Sequence, residues 1–295
     1  MTRAGGRDAD LGTVLVLGGT FEARELAAQL AGRPGMRVIS SLAGRVRDPI
    51  RPAGEVRIGG FGGVQGLADW ARAEGVHAVV DATHPFAETI SANAVAACAQ
   101  AGLPLLRLAR PGWQPRDGDD WHRAGSLADA AALLPALGAR VFLTTGRQGL
   151  AAFAGLHDLW FLIRCVDAPD GAMPASREVL LARGPYARAA ELALMRRFAI
   201  DVLVTKDSGG SLTAGKLDAA RDLGIPVIMI RRPESSAAKS VPAVDAAVRW
   251  VTGQIPAAAH LSAAAHPLAA AHLSDRGPPP ESGAPDSGTA EPAAR

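Results

Sequence analysis

The sequence predicts an α/β protein of two domains, each a mainly parallel sheet flanked by helices, followed by a disordered C-terminal tail. Three observations carry this. Apolar runs of strand length alternate with helical stretches in two successive series, and such alternation winds parallel sheets through right-handed crossovers. A Pro/Gly/Asp-rich break, RPGWQPRDGDD (Arg110 to Asp120), separates the series. From about Gln254 the composition turns to Ala, Pro, Gly, Ser and His, ending GPPPESGAPDSGTAEPAAR, and buries too little apolar surface to offset its ordering entropy. The domains expected are Rossmann-like units at 1–115 and 116–254, with the tail at 255–295.

The elements follow in order. In the first series the strands are expected at 13–17, 36–41, 55–58, 77–81 and 103–108, because each is a short apolar run of the kind a buried parallel strand needs. Helices lie between them near 21–31, 65–74 and 86–101. Thr20 caps the first helix, and Thr83 caps the third, with Pro85 in its first turn. In the second series the strands are expected near 140–145, 159–165, 178–182, 201–205 and 226–230. The helices there lie near 126–135, 148–154, 186–198, 214–223 and 243–252.

Composition excludes several function classes. A net charge of +2 with one tyrosine and seven phenylalanines gives neither the basic stripe nor the stacking platform of a nucleic-acid binder. No apolar run approaches the roughly 20 residues that cross a bilayer, and the start MTRAGGRDADLG has no signal-peptide core, so a cytoplasmic protein is expected. A monomer is expected, although nothing in the sequence fixes the oligomeric state. Cys98 and Cys165 sit apart in apolar stretches and read as core, so no metal site is expected. His260, His266 and His272 in the tail read as incidental.

In open α/β sheets ligands bind beyond the carboxyl ends of the strands. The first such end, VLVLGGTFEAREL, passes from strand through Gly18 and Gly19 to a helix capped by Thr20, with Glu22 in its first turn. Close backbone approach and a helix N-terminus favour a phosphate there. Against the dinucleotide fingerprint G-x-G-x-x-G/A, Gly18, Thr20 and Ala23 occupy the key positions, so the first and last comply. The second strand ends in Ser40 and Ser41, followed by Arg45, with no carboxylate for a ribose 2′-hydroxyl, so a dinucleotide bound there is expected to be NADP rather than NAD; the alternative is that the serines simply begin a loop and Arg45 is solvated. Gly59, Gly60, Phe61, Gly62 and Gly63 after the third strand let a ring or sugar lie on backbone, or form a plain turn. DATHPFA places Asp81, Thr83, His84 and Pro85 at the fourth strand end, where His84 serves as general acid or shapes the pocket.

The second series repeats one device. TTGR (Thr144 to Arg147) and TKDSGG (Thr205 to Gly210) each leave an apolar strand for a turn bearing a hydroxyl and a cation. With Arg164, Arg183, Lys216, Arg231 and Arg232, cations gather at strand ends in a chain that is almost neutral overall. A ligand bearing carboxylates or phosphates explains this, most directly at Arg147, Lys206 and Ser208; surface charge paired with Asp167, Asp170 and Glu178 is the alternative. No GxSxG elbow, HExxH or P-loop lysine is present, and a site of glycines, hydroxyls and anion clamps suits hydride transfer, whose chemistry the cofactor carries.

GGTFEAR, SLAGR, VRIGGFGG, VVDATHPFA, LRLARPGW, TTGR, RGPY and DVLVTKDSGG, in this order from residue 14 to about 232, resemble the precorrin-6A reductase family of cobalamin biosynthesis. Tyr186 stands where that resemblance expects an aromatic, often Phe, and the tail lies outside it. The resemblance implies NADPH-dependent reduction of one double bond of precorrin-6A to precorrin-6B, with hydride to the macrocycle and a proton to the adjacent carbon. It implies a tetrapyrrole substrate edged with carboxylates. Gly18, Gly19, Thr20, Glu22, Ser40, Ser41, Arg45, Gly60, Phe61, Thr83, His84 and Pro85 then face the cofactor. Arg147, Arg183, Lys206, Ser208, Gly209, Gly210 and Lys216 face the substrate, and His84, Asp207 or a water donates the proton.

Two rivals remain open at this point. A short-chain type of reductase would carry Tyr-x-x-x-Lys, but Tyr186 is followed by Ala190 at that spacing. A non-catalytic NADP-binding redox sensor would not need the cations of the second series. A cobalt-containing precorrin presents the same peripheral carboxylates, so the sequence does not separate it from the metal-free substrate.

Overall fold

A computed structural model of the chain describes residues 11–44, 49–234 and 239–255. The first unit contains β1 (Gly12–Leu17), α1 (Phe21–Ala31), β2 (Met36–Leu42), β3 (Glu55–Ile58), α2 (Gly63–Ala73), β4 (Val76–Asp81), α3 (Glu88–Ala101) and β5 (Leu105–Leu108). The second contains β6 (Trp121–Ala124), α4 (Leu127–Leu137), β7 (Arg140–Leu143), β8 (Trp160–Cys165), β9 (Arg177–Leu181), α5 (Arg188–Arg197), β10 (Val202–Lys206), α6 (Gly215–Leu223) and β11 (Val227–Ile230). The described chain ends with β12 (Lys239–Val241) and α7 (Val244–Gln254).

Both sheets are six-stranded and wholly parallel, in the orders β3-β2-β1-β4-β5-β12 and β9-β8-β7-β10-β11-β6. The first has the doubly wound order 3-2-1-4-5-6, its sixth place filled by a strand from beyond the second series, and the second repeats the same pattern with β6 at its edge. The expected domain limits change accordingly. Residues 239–254, assigned by sequence to the second unit, pair and pack with the first, because β12 lies against β5 and α7 covers α1. Ile255, expected to begin the tail, is buried so close to Gly12 that a Cβ there would lie 2.3 Å from its Cγ2. The rest of the expected tail, 256–295, lies outside the described residues.

The apolar runs are explained by burial on both faces. Val14 and Val16 of β1 pack with Leu26, Leu30 and Val251, while Leu15 and Leu17 on the opposite face pack with Leu67, Ala71 and Cys98. In the second sheet, Val141 and Leu143 meet Leu134 and Phe153, and Phe142 meets Leu203 and Leu217. Each such side chain contributes roughly 1.5–3 kcal/mol relative to exposure. Both cysteines are buried and free, as expected.

Four local expectations are corrected. β6 and β12 are absent from the sequence-based assignment, being short edge strands with polar residues (WHRA and KSV) rather than apolar runs. Helix α3 starts at Glu88 with Ala87 at its N-cap, so Thr83 does not cap it. The stretch 148–154 holds only a single 3₁₀ turn, Leu150–Phe153.

The chain crosses between units twice, and Arg232 clasps the crossings. Its Nε donates to Asp207 O at 2.7 Å, Nη1 to Arg110 O at 2.7 Å and Nη2 to Pro111 O at 3.1 Å. Gly209 packs into this clasp at φ +63°; a Cβ there would stand 2.1 Å from Pro111 O.

Candidate functional site

A cleft of about 750 Å³ opens beyond the ends of β1, β2 and β4. Its wall from the first unit includes Gly18, Gly19, Arg24, Ser40, Ser41, Gly60, Phe61, Thr83 and His84; the second unit contributes Gln148 and Arg183. Thus eight of the expected residues of the first unit, with Arg183, come together at one place.

The strand-to-helix turn explains part of the wall. Thr20 caps α1 as expected: its Oγ1 accepts from Ala23 N at 3.1 Å and donates to Ala82 O at 2.8 Å, tying the ends of β1 and β4. Thr20 is thereby occupied and does not line the cleft. Gly19 adopts φ +109°, a conformation glycine alone takes without strain, and no atom lies within 4 Å of where its Cβ would be. Glu22 departs from expectation, since it is off the cleft wall and its Oε2 accepts from Arg110 Nη1 at 2.6 Å. Arg24, which sequence reasoning passed over although it closes the quoted GGTFEAR, lines the cleft and donates to Thr20 O at 3.2 Å.

Ser40 is buried with no hydrogen-bond partner for its Oγ among the described residues, and Ser41 beside it is also buried. Arg45 lies outside the described residues. Arg57 shapes the glycine loop: its guanidinium sits 3.9 Å from the Phe61 ring centroid and donates to Gly59 O at 2.6 Å and Gly60 O at 2.7 Å.

At the end of β4, Asp81 is an anchor rather than a free acid. Its Oδ1 accepts from Thr83 N at 3.1 Å and Thr83 Oγ1 at 2.6 Å, while Oδ2 pairs with buried Arg107. The turn thus fixed carries His84, whose Nδ1 accepts from Phe86 N at 3.3 Å, leaving the ring proton on Nε2. Burial first, then the charges of Arg110, Lys206, Arg232 and Lys216, push the pKa of the His84 imidazole down to about 3. In the ligand-free chain His84 is therefore neutral near pH 7, with its Nε2–H available as a donor. Pro85 lies in the same turn, off the cleft wall.

The expected substrate residues divide. Arg183 is on the wall and Arg147 is partly buried in the turn before Gln148. Lys206 Nζ lies 5.2 Å from the ring centroid of Phe86, itself on the wall, and burial lowers its pKa. Ser208, Gly209, Gly210 and Asp207 gather instead about the crossing segment. Ser208 O accepts from Arg110 Nε at 2.6 Å, Gly210 O from Trp113 Nε1 at 3.0 Å, and Asp207 Oδ1 from Trp113 N at 2.9 Å. Asp207 thus holds the crossing in place. Lys216 is buried with its Nζ 5.1 Å from the Trp113 ring centroid, and burial first, then Arg164, lowers its pKa to about 7. Arg164 is consumed by a buried bidentate pair with Glu191 at 2.6 and 2.9 Å.

A cleft with glycines, an unsatisfied buried hydroxyl, a neutral imidazole and the cations Arg24 and Arg183 on its wall can take an anionic ligand. Among the described residues there is no cluster of metal ligands, and no helix is long and apolar enough to cross a membrane.

Comparison with known proteins places the chain in a family. A family model described as "Precorrin-6x reductase CbiJ/CobK" matches residues 13–252. The chain is 62% identical over 239 residues to a precorrin-6A reductase of Rhodococcus erythropolis, covering 81% of this chain and 96% of that protein. It is 54% identical over 243 residues to one of Mycobacterium tuberculosis, covering 81% and 97%. A solved structure titled "CobK precorrin-6A reductase" superposes with a TM-score of 0.78 at 42% identity, covering 83% of this chain and 97% of that one.

Proposed function

We infer the activity from one premise: the chain belongs to the precorrin-6x reductase CbiJ/CobK family. It is an oxidoreductase that reduces a carbon–carbon double bond of precorrin-6A in cobalamin biosynthesis, with NADPH as reductant and precorrin-6B as product. The observation that carries the reading is the convergence on His84 of two things, a glycine-lined cleft and the field of Arg110, Lys206, Arg232 and Lys216.

The residues present fit NADPH. No atom lies within 4 Å of a Cβ placed at Gly19, Gly59, Gly60, Gly62 or Gly63, so backbone is open to a ligand along one side of the cleft. The lone Ser40 hydroxyl and the absence of a carboxylate at the end of β2 suit a 2′-phosphate. Gly18, Gly19 and Arg24 would hold the pyrophosphate, Ser40 and Ser41 the 2′-phosphate, and Gly60 and Phe61 the adenosine side. When bound, NADPH supplies the hydride.

The chain's own residues orient and exclude. Thr83 and His84 line the cleft, and His84 offers its Nε2 proton as a neutral hydrogen-bond donor. Arg183, Arg147 and Lys206 meet the peripheral carboxylates of the tetrapyrrole, whose negative charge offsets the cationic field of the cleft. Asp207 is held by Trp113 N and His84 presents Nε2–H as a hydrogen-bond donor, so water is the source we assign to the proton for the carbon adjacent to the reduced one.

An anaerobic assay of purified protein with precorrin-6A tests this, following NADPH absorbance and product mass, with NADH and the cobalt-containing substrate in parallel arms. A gain of two hydrogens with NADPH and much less with NADH supports the reading. Binding of NADPH with no tetrapyrrole reduced points to a sensor instead.

A further inference from the structure

Arg183 is the arginine by which the second unit reaches the cleft wall, and it sits in an exposed turn after β9. An arginine on an unsupported turn gives up backbone and rotamer freedom on meeting a ligand, which weakens the contact. The turn here is held on both sides. Ala182 N donates to Cys165 O at 2.9 Å, Tyr186 N donates to Leu212 O at 3.0 Å, and the Tyr186 hydroxyl donates back to Ala182 O at 2.9 Å, closing the turn across Arg183.

Beneath the turn is an unusual support. The Arg164 guanidinium lies 3.7 Å from the Tyr186 ring centroid and 4.8 Å from that of Phe142, so it is gripped between two rings. Glu191 fixes it in the plane by the bidentate pair, with both side chains buried. The backbone at Tyr186 passes close over Gly215, where a Cβ would stand 2.5 Å from the Tyr186 carbonyl oxygen, so the start of α6 packs directly against the turn. A hydrophobic core would support a surface turn with less desolvation, so a buried ion pair stacked on a single tyrosine is a device for fixing orientation.

Resting on the reading above, in which Arg183 meets the substrate, we propose that Tyr186, stacked on the Arg164–Glu191 pair, is a positioning residue that presents Arg183 to a substrate carboxylate. It touches neither substrate nor cofactor. Its effect passes through Arg183, and the hydroxyl is the part that closes the turn.

The test is a double-mutant cycle in steady-state kinetics on the full chain, with separate KM values for precorrin-6A and NADPH. Arg183→Ala is expected to raise KM for precorrin-6A about tenfold with KM for NADPH changed less than about twofold. Tyr186→Ala is expected to raise it about fivefold and Tyr186→Phe about twofold, while Arg183→Ala/Tyr186→Ala is no worse than Arg183→Ala alone. Multiplied losses in the double variant, or an equal rise in KM for NADPH, overturn the proposal, because a merely structural tyrosine gives those results. Should Tyr186→Ala not fold, Glu191→Gln takes its place in the cycle. An unchanged KM for precorrin-6A in Arg183→Ala removes the substrate contact and the proposal with it. Failure of the wild-type chain to oxidise NADPH with precorrin-6A overturns the proposed activity itself, before any variant is made.

Discussion

Arg110 Nη1 donates to Glu22 Oε2 at 2.6 Å while its Nε donates to Ser208 O at 2.6 Å, so one guanidinium joins the first turn of α1 to the loop after β10. The Arg110 and Glu22 side chains are 16% and 20% exposed, which weakens solvent screening of the pair. Glu22→Gln is expected to cost about 1–2 kcal/mol in urea denaturation with KM for NADPH changed less than about threefold. A large rise in that KM at unchanged stability would return Glu22 to the cofactor.

His84 makes stability depend on pH with a definite sign. Its folded value of about 3 lies below the unfolded value near 6.5, so above pH 6.5 both states are neutral and nothing is lost. As pH falls from about 6.5 towards 3 only the unfolded state takes up the proton, and the native state is disfavoured by about 2 kcal/mol at pH 5. Denaturation of wild type and His84→Gln at pH 7 and pH 5 checks this: the wild type should lose more on acidification. A loss equal in both proteins would place the proton elsewhere.

Turnover is expected to fall less than about tenfold in His84→Ala, because a neutral donor orients rather than protonates. A thousandfold loss with NADPH affinity intact would make it the acid.

Ser41→Asp puts a carboxylate on the cleft wall near the end of β2. The ratio of kcat/KM with NADPH to that with NADH should fall by about 10- to 100-fold through repulsion of the 2′-phosphate. An unchanged ratio would move the 2′-phosphate away from β2.

Gly209→Ala tests the clasp. A methyl group would meet Pro111 O at 2.1 Å and Arg232 Nη2 at 2.5 Å on a backbone at φ +63°, so the crossing must shift or the loop unwind. The expected loss is about 2–4 kcal/mol, read as a lower melting temperature.

The sequence is most legible where burial is two-sided. Leu15, Val16 and Leu17 must be apolar on both faces, so the central strands are plain, and the glycines and serines at their ends follow from the rule that ligands lie there. Trp121–Ala124 and Lys239–Val241 pair on one side only, carry polar residues and leave no periodic signal, so the return of the chain to the first sheet is invisible in sequence. Gly18, Ser40 and His84, named from the strand ends, come together on the wall of one cleft. Glu22 and Asp207 lie off the cleft wall, against Arg110 and Trp113, partners distant in sequence that only the fold brings to them through the crossing segment.

The returning edge strand also governs when the protein can be finished during synthesis. The first lobe begins with the first described residues, yet α1 stays uncovered and β5 keeps a bare edge until Lys239–Ile255 have left the ribosome, after the entire other lobe. That lobe is not a contiguous piece of the gene product. A chain severed between the lobes would leave the first sheet short of its outermost strand and its covering helix, and only the second fragment, supplied as a separate polypeptide, could restore them.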